Sequence, residues 1–316
     1  MLYDRAGLIT LAVAVTLLPL VFNSNFHLRI LVMVWVFSLA TIGLNLLMGY
    51  AGQISLGHAG FLAIGAYSTA LGPRVMGVPS STGMLLGIVF ATLMAFVIGR
   101  PILRLKGHYL AVATLGFGVL VFMVLNNKVG LTGGPDGTPV QRLDIWGWSV
   151  RGNLTWYWIS SGLLLLGAWL AYNLINSPTG IALRSIHDSE IASSTIGVDV
   201  AKYKLLVFVI SAAYAATAGG LFAFFNGHVT PNIADFLLSV QLVTMVVLGG
   251  MGSIIGSVVG TAILVILPQF LTIFHDYEHA FLGLIMILTM IFLRSGIVPT
   301  ASAFISSMIN GRDTSR

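Results

Sequence analysis

The chain has 316 residues, of which 57% are hydrophobic and 8% charged, and its mean hydropathy is +0.96. Soluble domains carry about 25% charged residues, so this composition excludes a water-soluble globular protein and indicates that lipid covers much of the surface. The net charge of +5 favours basic loops on the cytoplasmic side of a membrane over nucleic-acid binding. The absence of cysteine excludes disulfides, thiolate metal sites and cysteine nucleophiles.

Two stretches without charged residues indicate closely spaced membrane spans. No Asp, Glu, Lys or Arg lies between Arg29 and Arg74, or between Asp235 and Asp276. One span needs about 20 apolar residues, so each stretch can hold two. The splits at 50–53 and 251–252 depend on glycine, and without both of them the chain has eight spans. With both, the apolar stretches predict ten spans, at 7–23, 28–49, 54–72, 83–99, 107–126, 154–176, 203–226, 236–250, 253–273 and 279–298.

The distribution of basic residues predicts the orientation. Ten spans with a cytoplasmic N-terminus place about ten Lys and Arg residues inside and about five outside, as the positive-inside rule requires. The cluster Arg100, Arg104 and Lys106 is the strongest cytoplasmic anchor. We therefore predict an all-α, polytopic integral membrane protein with both termini in the cytoplasm. Residues 1–316 form one transmembrane domain with two long loops, 127–153 outside and 177–202 inside.

The inner loop has the features of a short helix. Asp188 or Ser189 can cap its start, Glu190 suits the positive end of the helix dipole, and Gly197 can end it in a left-handed conformation. Such a helix could dock on a partner protein, or it could lie on the lipid surface. The apolar residues available for one face are Ile186, Ile191, Ala192 and Ile196.

The same loop resembles a motif of ABC importer permeases. Glu190-Ile-Ala192 followed by Gly197 is similar to the Glu-Ala-Ala…Gly loop of that superfamily. More specifically, the chain resembles LivM-type permeases of branched-chain amino acid importers. Besides the loop, the matching stretches are Gly43-Leu-Asn-Leu-Leu-Met-Gly-Tyr-Ala-Gly-Gln-Ile-Ser-Leu-Gly-His-Ala-Gly-Phe61, Gly107-His-Tyr-Leu-Ala-Val-Ala-Thr-Leu115, Leu131-Thr-Gly-Gly-Pro-Asp-Gly-Thr138 and Val247-Leu-Gly-Gly-Met-Gly-Ser253.

The resemblance implies a machine with several subunits in a bacterial inner membrane. It would contain two related permeases, two cytoplasmic ATP-binding subunits and a periplasmic binding protein, and it would import leucine, isoleucine and valine. A urea or short-chain amide importer, or a stand-alone channel, are the alternatives. In this family the loop is a coupling helix seated in a groove of the ATPase. The residues expected to couple this chain to the ATPase are Arg184, Asp188, Glu190, Ala192 and Gly197.

Polar and small residues within the spans are the candidates for the pathway or for helix packing. Gln53, Ser55 and His58 lie in a glycine-rich break that predicts either a broken helix, which often marks a transport pathway, or a tight turn. Asn45 is a polar residue within a span. A comparable pattern at 242–260 suggests an internal repeat. A ridge of small residues suited to close helix contact is formed by Gly252, Gly256 and Gly260.

The chain carries no sign of its own energy source or chemistry. It has no Gly-x-x-x-x-Gly-Lys-Ser/Thr motif, which P-loop proteins use to bind nucleotide phosphates. No acid or base lies deep in a predicted span, unlike in proton-driven or sodium-driven carriers. We therefore expect a transport subunit that is not an enzyme, has no cofactor or metal, and is driven by ATP hydrolysis in its partners.

Overall fold

The computed structural model describes residues 2–22, 24–145, 148–271, 283, 287 and 296–300. Within these residues the chain is almost entirely helical. The α-helices are α1 (Leu2–Val21), α2 (Asn25–Ala51), α3 (His58–Leu71), α4 (Ser80–Ile102), α5 (His108–Asn127), α6 (Val129–Thr132), α7 (Asn153–Ile175), α8 (Pro178–Asp188), α9 (Glu190–Thr195), α10 (Val200–Asn226), α11 (Phe236–Gly249) and α12 (Ile254–Leu271).

The remaining regular elements are short. Gly72–Met76 forms a π-helix, and two 3₁₀ helices cover Gly134–Asp136 and Pro231–Ala234. β1 (Thr138–Pro139) pairs antiparallel with β4 (His228–Val229). β2 (Asp144–Ile145) pairs antiparallel with β3 (Trp148–Ser149).

The described helices correspond to the predicted spans, apart from the start of the span at 54–72 and small shifts of the other bounds. α2, α4, α5, α7 and α10 are long and apolar enough to cross a membrane, and α1, α11 and α12 contain shorter apolar helices. Both glycine splits are confirmed, since α2 ends before 52–57 and α11 ends before 250–253. The predicted span 54–72 is wrong at its start, because 54–57 is not helical and α3 begins only at His58. Nearly all of the predicted span 279–298 lies outside the described residues.

α10 lies at the centre of the packing and contacts α2, α3 and α4. Small residues allow this close approach. A Cβ atom on Gly65 would lie 2.0 Å from the carbonyl oxygen of Ala216, and one on Gly219 would lie 1.8 Å from that of Leu62. In lipid, helices associate through such small-residue contacts because no hydrophobic force drives them together. α3 is consequently buried along nearly its whole length.

α11 and α12 pack against each other through glycine as well. A Cβ atom on Gly260 would lie 2.0 Å from the carbonyl oxygen of Met245, and one on Gly249 would lie 1.8 Å from that of Gly256. The predicted three-glycine ridge is wrong for Gly252. This residue lies in the turn before α12 with a φ of 77°, a left-handed conformation that favours glycine. The pattern at 242–260 is therefore a helical hairpin, in which only Gly256 and Gly260 belong to the second helix.

Candidate functional site

The inner loop forms two helices that change direction at Ser189. Its φ of −163° and ψ of 114° end α8, and its hydroxyl accepts a hydrogen bond at 3.2 Å from the backbone N–H of Ala192, which caps α9. Gly197 follows with a φ of 89°. The backbone N–H of Val198 donates to the carbonyl oxygen of Ser193 at 3.0 Å, which satisfies the end of the helix. The predicted short helix is present, and α8 was not predicted.

The apolar residues of this hairpin lie on different faces. Ile191 and Ile196 are 73% and 75% exposed, and Ala192 between them is also exposed. Ile186 is 2% exposed, and the hairpin packs through α8 on α2 and α7. Ile186 was therefore wrongly assigned to the docking face. The exposed apolar surface of α9, which we call the α9 tip, consists of Ile191, Ala192 and Ile196.

Glu190 connects α9 to three other segments. Its carboxylate contacts the ammonium group of Lys204 at the start of α10. Its Oε1 accepts a hydrogen bond at 3.3 Å from Nε2 of Gln53 in the segment between α2 and α3. Lys106, in the loop between α4 and α5, places its Nζ 3.9 Å from Oε2. Glu190 thus joins α9 to α10, to the break after α2 and to the loop between α4 and α5.

The charge of Glu190 is stabilised by these contacts. Burial alone would raise the pKa of this carboxyl, but the hydrogen bond and positive charge of Lys204, assisted by Gln53 and Lys106, hold its pKa below the ordinary value. The residue Lys204 is only 2% exposed. It depends on Glu190 for compensation, because a buried charge without a partner is costly.

Arg184 and Asp188 have different surroundings. Arg184 is exposed, its guanidinium carbon lies 5.7 Å from the ring centroid of Tyr50, and its Nη2 is 3.4 Å from the carbonyl oxygen of Ile175. The carboxylate of Asp188 is 86% exposed and lies 3.6 Å from Nδ1 of His187. The hairpin thus brings all five predicted coupling residues onto one element, but only Glu190 reaches the break between α2 and α3.

The break is a non-helical segment of six residues between α2 and α3. Gly52 ends α2 with a φ of 66°, and residues 53–57 then run without helical structure into α3. His58 is 1% exposed. Its Nδ1 lies 2.9 Å from the hydroxyl of Ser55 and its Nε2 lies 3.0 Å from that of Ser211 in α10. The side chains of Ser55 and His58 are thereby buried against α10, whereas Ile54 in the same segment is 43% exposed.

Two hydroxyl groups that complete this site were missed in the sequence. Besides Ser211, Thr114 of α5 accepts a hydrogen bond at 3.0 Å from the backbone N–H of Leu56. A Ser or Thr within an apolar helix is common, and nothing in the local pattern distinguishes these two. The first turn of α3 also meets α11, because Ser239 accepts a hydrogen bond at 3.2 Å from the backbone N–H of Ala59.

Asn45 connects α2 to the turn between α11 and α12. Its Nδ2 donates to the hydroxyl of Ser257 at 2.7 Å and to the carbonyl oxygen of Ser253 at 2.8 Å. Its Oδ1 accepts from the backbone N–H of Gly252 at 2.9 Å. These contacts make Asn45 a packing residue in this structure, whereas Gln53, Ser55 and His58 lie together in the broken segment.

The outer loop contacts the connection between α10 and α11. β1 pairs with β4, and Nε2 of His228 lies 2.8 Å from the carbonyl oxygen of Asp136. Gly133, Gly134 and Gly137 all have positive φ, a conformation that turns commonly use and that glycine adopts without strain. Among the residues that the structure describes, no three His, Asp or Glu side chains lie together as a metal site would require.

Comparison with known proteins identifies the family. Residues 26–290 match the model of the branched-chain amino acid transport system permease component. The chain is 33% identical over 291 residues to the high-affinity branched-chain amino acid transport system permease protein LivM of Salmonella typhimurium, which covers 84% of this chain and 68% of that protein. LivM of Escherichia coli is 33% identical over 282 residues, covering 82% and 66%. The chain therefore spans about two thirds of the length of these two relatives.

The chain is also similar to a second kind of permease. The protein LivH of Escherichia coli, of the same transport system by name, is 28% identical over 286 residues, covering 83% of this chain and 91% of that protein. No solved structure matches the chain significantly. The match over most of the chain shows that this protein belongs to the family of branched-chain amino acid transport permeases.

Proposed function

We propose that this chain is one permease subunit of an ATP-driven importer for leucine, isoleucine and valine in a bacterial inner membrane. Its similarity to both LivM and LivH supports assembly with a second, related permease. Two cytoplasmic ATP-binding subunits supply the energy, and a periplasmic binding protein delivers the amino acid. In this arrangement the single permease domain has both termini and the α8–α9 hairpin in the cytoplasm.

The observation that carries the proposal is the connection from the α9 tip, through Glu190, to the membrane helices. The tip exposes Ile191 and Ile196 to the partner. Closure of the ATP-binding subunits moves α9, and Glu190 transmits the movement to α10 through Lys204 and to the broken segment through Gln53. The two permeases then change the side from which their shared pathway is open. Arg184, Asp188 and Gly197 shape the hairpin that receives the movement.

The α9 tip provides a direct test of this function. Ile191→Glu combined with Ile196→Glu places two charges at an apolar contact. We expect at least about a tenfold loss of ATP-dependent leucine uptake, since burying unpaired charges at an interface is strongly unfavourable. The ATP-binding subunits should also fail to co-purify with the permease. The matched control is Val75→Glu with Met76→Glu, two exposed apolar residues in the π-helix, far from the hairpin in the chain.

Two results would contradict the proposal. Normal leucine uptake by the Ile191→Glu, Ile196→Glu variant would show that the α9 tip does not couple. Leucine flux through vesicles that contain this chain alone, without ATP-binding subunits, would favour a channel. Competition of labelled leucine uptake by valine and isoleucine, compared with urea and acetamide, separates the amino acid importer from the amide importer.

A further inference from the structure

A basic cavity of about 740 Å³ lies between the end of α4 and the beginning of α10. It is adjacent to the coupling hairpin, since Glu190 forms part of its wall. Two acidic side chains line it, Glu190 and Asp199. The five basic side chains that line it, which define the basic cavity, are Arg100, Arg104, Lys106, Lys202 and Lys204.

The two acids are already engaged. Glu190 contacts Lys204 and Lys106. Asp199 caps α10 by accepting a hydrogen bond at 3.1 Å from the backbone N–H of Lys202. Within the described part of the chain, Arg100, Arg104 and Lys202 form no ion pair. The cavity therefore holds three exposed cations without a carboxylate partner, and an anion that entered it would meet a positively charged surface.

The floor of the cavity is apolar and continues along the membrane surface of α4. Phe96 lies below Arg100, whose guanidinium carbon is 4.3 Å from the ring centroid. Leu103 and Leu205 line the same floor. Toward the other end of α4, Val89 and Leu93 are exposed on the face that carries Phe96 and Arg100. Cations above an apolar stripe match a molecule with an anionic head and hydrocarbon chains.

We propose that the basic cavity binds the phosphate of an anionic phospholipid such as phosphatidylglycerol, with its acyl chains along α4. Basic pockets between membrane helices at the cytoplasmic surface suit such headgroups. The continuity of the cavity with the exposed face of α4 favours a lipid over an acidic protein surface. A bound headgroup contacts the loop between α4 and α5 and the start of α10, both of which also contact Glu190. This inference concerns a lipid site and does not require the proposed substrate.

The test measures lipid retention by the full chain without ATP or amino acid. The purified chain is exposed to equal amounts of phosphatidylglycerol and phosphatidylcholine, and the retained lipids are counted by native mass spectrometry. We expect phosphatidylglycerol to be preferred. The variant Arg100→Gln, Arg104→Gln, Lys202→Gln should lower this preference at least about tenfold, because each basic residue contributes measurably to binding an anionic headgroup.

Two further variants keep the result interpretable. Arg100→Lys, Arg104→Lys, Lys202→Arg retains the charge and should retain the preference. Removal of three exposed cations elsewhere should leave the preference unchanged; the control residues are Arg29, Arg74 and Lys128, each changed to Gln. All variants are compared by their unfolding temperature in neutral detergent, so that a loss of folding is not read as a loss of lipid.

Four outcomes would overturn the proposal. Unchanged phosphatidylglycerol retention by the first variant would show that the cavity does not bind it, and an equal loss in the control would show only a general charge effect. Inorganic phosphate that stabilises the chain as much as the lipid would indicate a soluble anion site. Loss of the ATP-binding subunits from the assembled complex, with unchanged lipid retention, would assign the cavity to an acidic surface of that partner. The lipid measurement uses neither ATP nor amino acid, so unchanged retention does not bear on the proposed function.

Discussion

The α2–α3 segment and the α10–α11 segment have the same plan and opposite directions. Each begins with a helix of 27 residues ended by a left-handed glycine, Gly52 with a φ of 66° and Gly227 with a φ of 69°. Each continues, after a connection without α-helix, with a helix of 14 residues. α2 ends and α10 begins beside the coupling hairpin, since Gly52 lies against His187 and Lys204 contacts Glu190.

The two connections differ in what they contact. Residues 52–57 contact the hairpin through Gln53 and the interior of the helices through Ser55. Residues 227–235 contact the outer loop through β1 and β4. The same order of elements thus gives one connection that contacts the α8–α9 hairpin and one that contacts the loop containing β1. The two segments meet where the backbone N–H of Ala59 donates a hydrogen bond to the hydroxyl of Ser239.

The largest expected effect comes from reversing the charge of Glu190, which connects the α8–α9 hairpin to the α2–α3 segment. Glu190→Lys places a third cation beside Lys204 and Lys106. We expect a loss of about 3 kcal/mol in stability, because a buried ion pair is broken and its remaining charge is unpaired, together with loss of nearly all ATP-dependent uptake. Unfolding temperature and leucine uptake in vesicles measure the two effects.

Asp188→Lys is the matched control for this substitution. It makes the same change in charge two residues away, at a carboxylate that is 86% exposed. An exposed pair contributes roughly 0–1 kcal/mol, so this variant should retain its stability. If the two variants lost the same stability, the contact between Glu190 and Lys204 would not be the reason for the loss in Glu190→Lys.

A smaller effect is expected from the histidine of each connection. His58→Ala removes a buried ring and leaves the hydroxyls of Ser55 and Ser211 without this partner, so we expect a loss of about 2 kcal/mol. His228→Ala, in the other connection, removes an exposed ring with one contact to Asp136 and should cost less than about 1 kcal/mol. Denaturation in detergent with both variants in parallel measures the difference. If His228→Ala lost more stability than His58→Ala, the connection after α2 would not be the more tightly packed of the two.

The smallest effect is a dependence on pH at Glu190. Its folded-state pKa is lowered, so its contribution to stability is present above the ordinary carboxyl value of 4.5 and is lost as pH falls through the lower folded-state pKa. Wild type should therefore exceed Glu190→Gln in stability at neutral pH, and the difference should shrink below that value. Thermal unfolding of both proteins across pH 3 to 7 tests this, and a constant difference would show that the carboxylate is not stabilised by its ionisation.

Local patterns in the sequence were sufficient to predict α9 but not α8. Ser189, Glu190 and Gly197 have the residue types of a cap, a first turn and a helix end, and α9 follows them. The position of α8 was missed, because Pro178 and Gly180 indicated a loop although proline suits the first turn of a helix. Gly252 was placed on a helical ridge because its spacing from Gly256 and Gly260 is that of a helix face, and spacing alone does not reveal where a turn ends.

The sequence by itself determined that this chain is a helical membrane protein, because hydrophobicity and charge act locally and the lipid interior permits few backbone structures. The transport family followed from the resemblance of particular motifs. The sequence also indicated the break after α2 and the short helix α9. Only the tertiary structure decided that Glu190 contacts Gln53 and the buried Lys204, that His58 is held by Ser211, and that five basic side chains surround one cavity. These contacts join residues far apart in the chain, and they depend on how the helices pack, which no local pattern records.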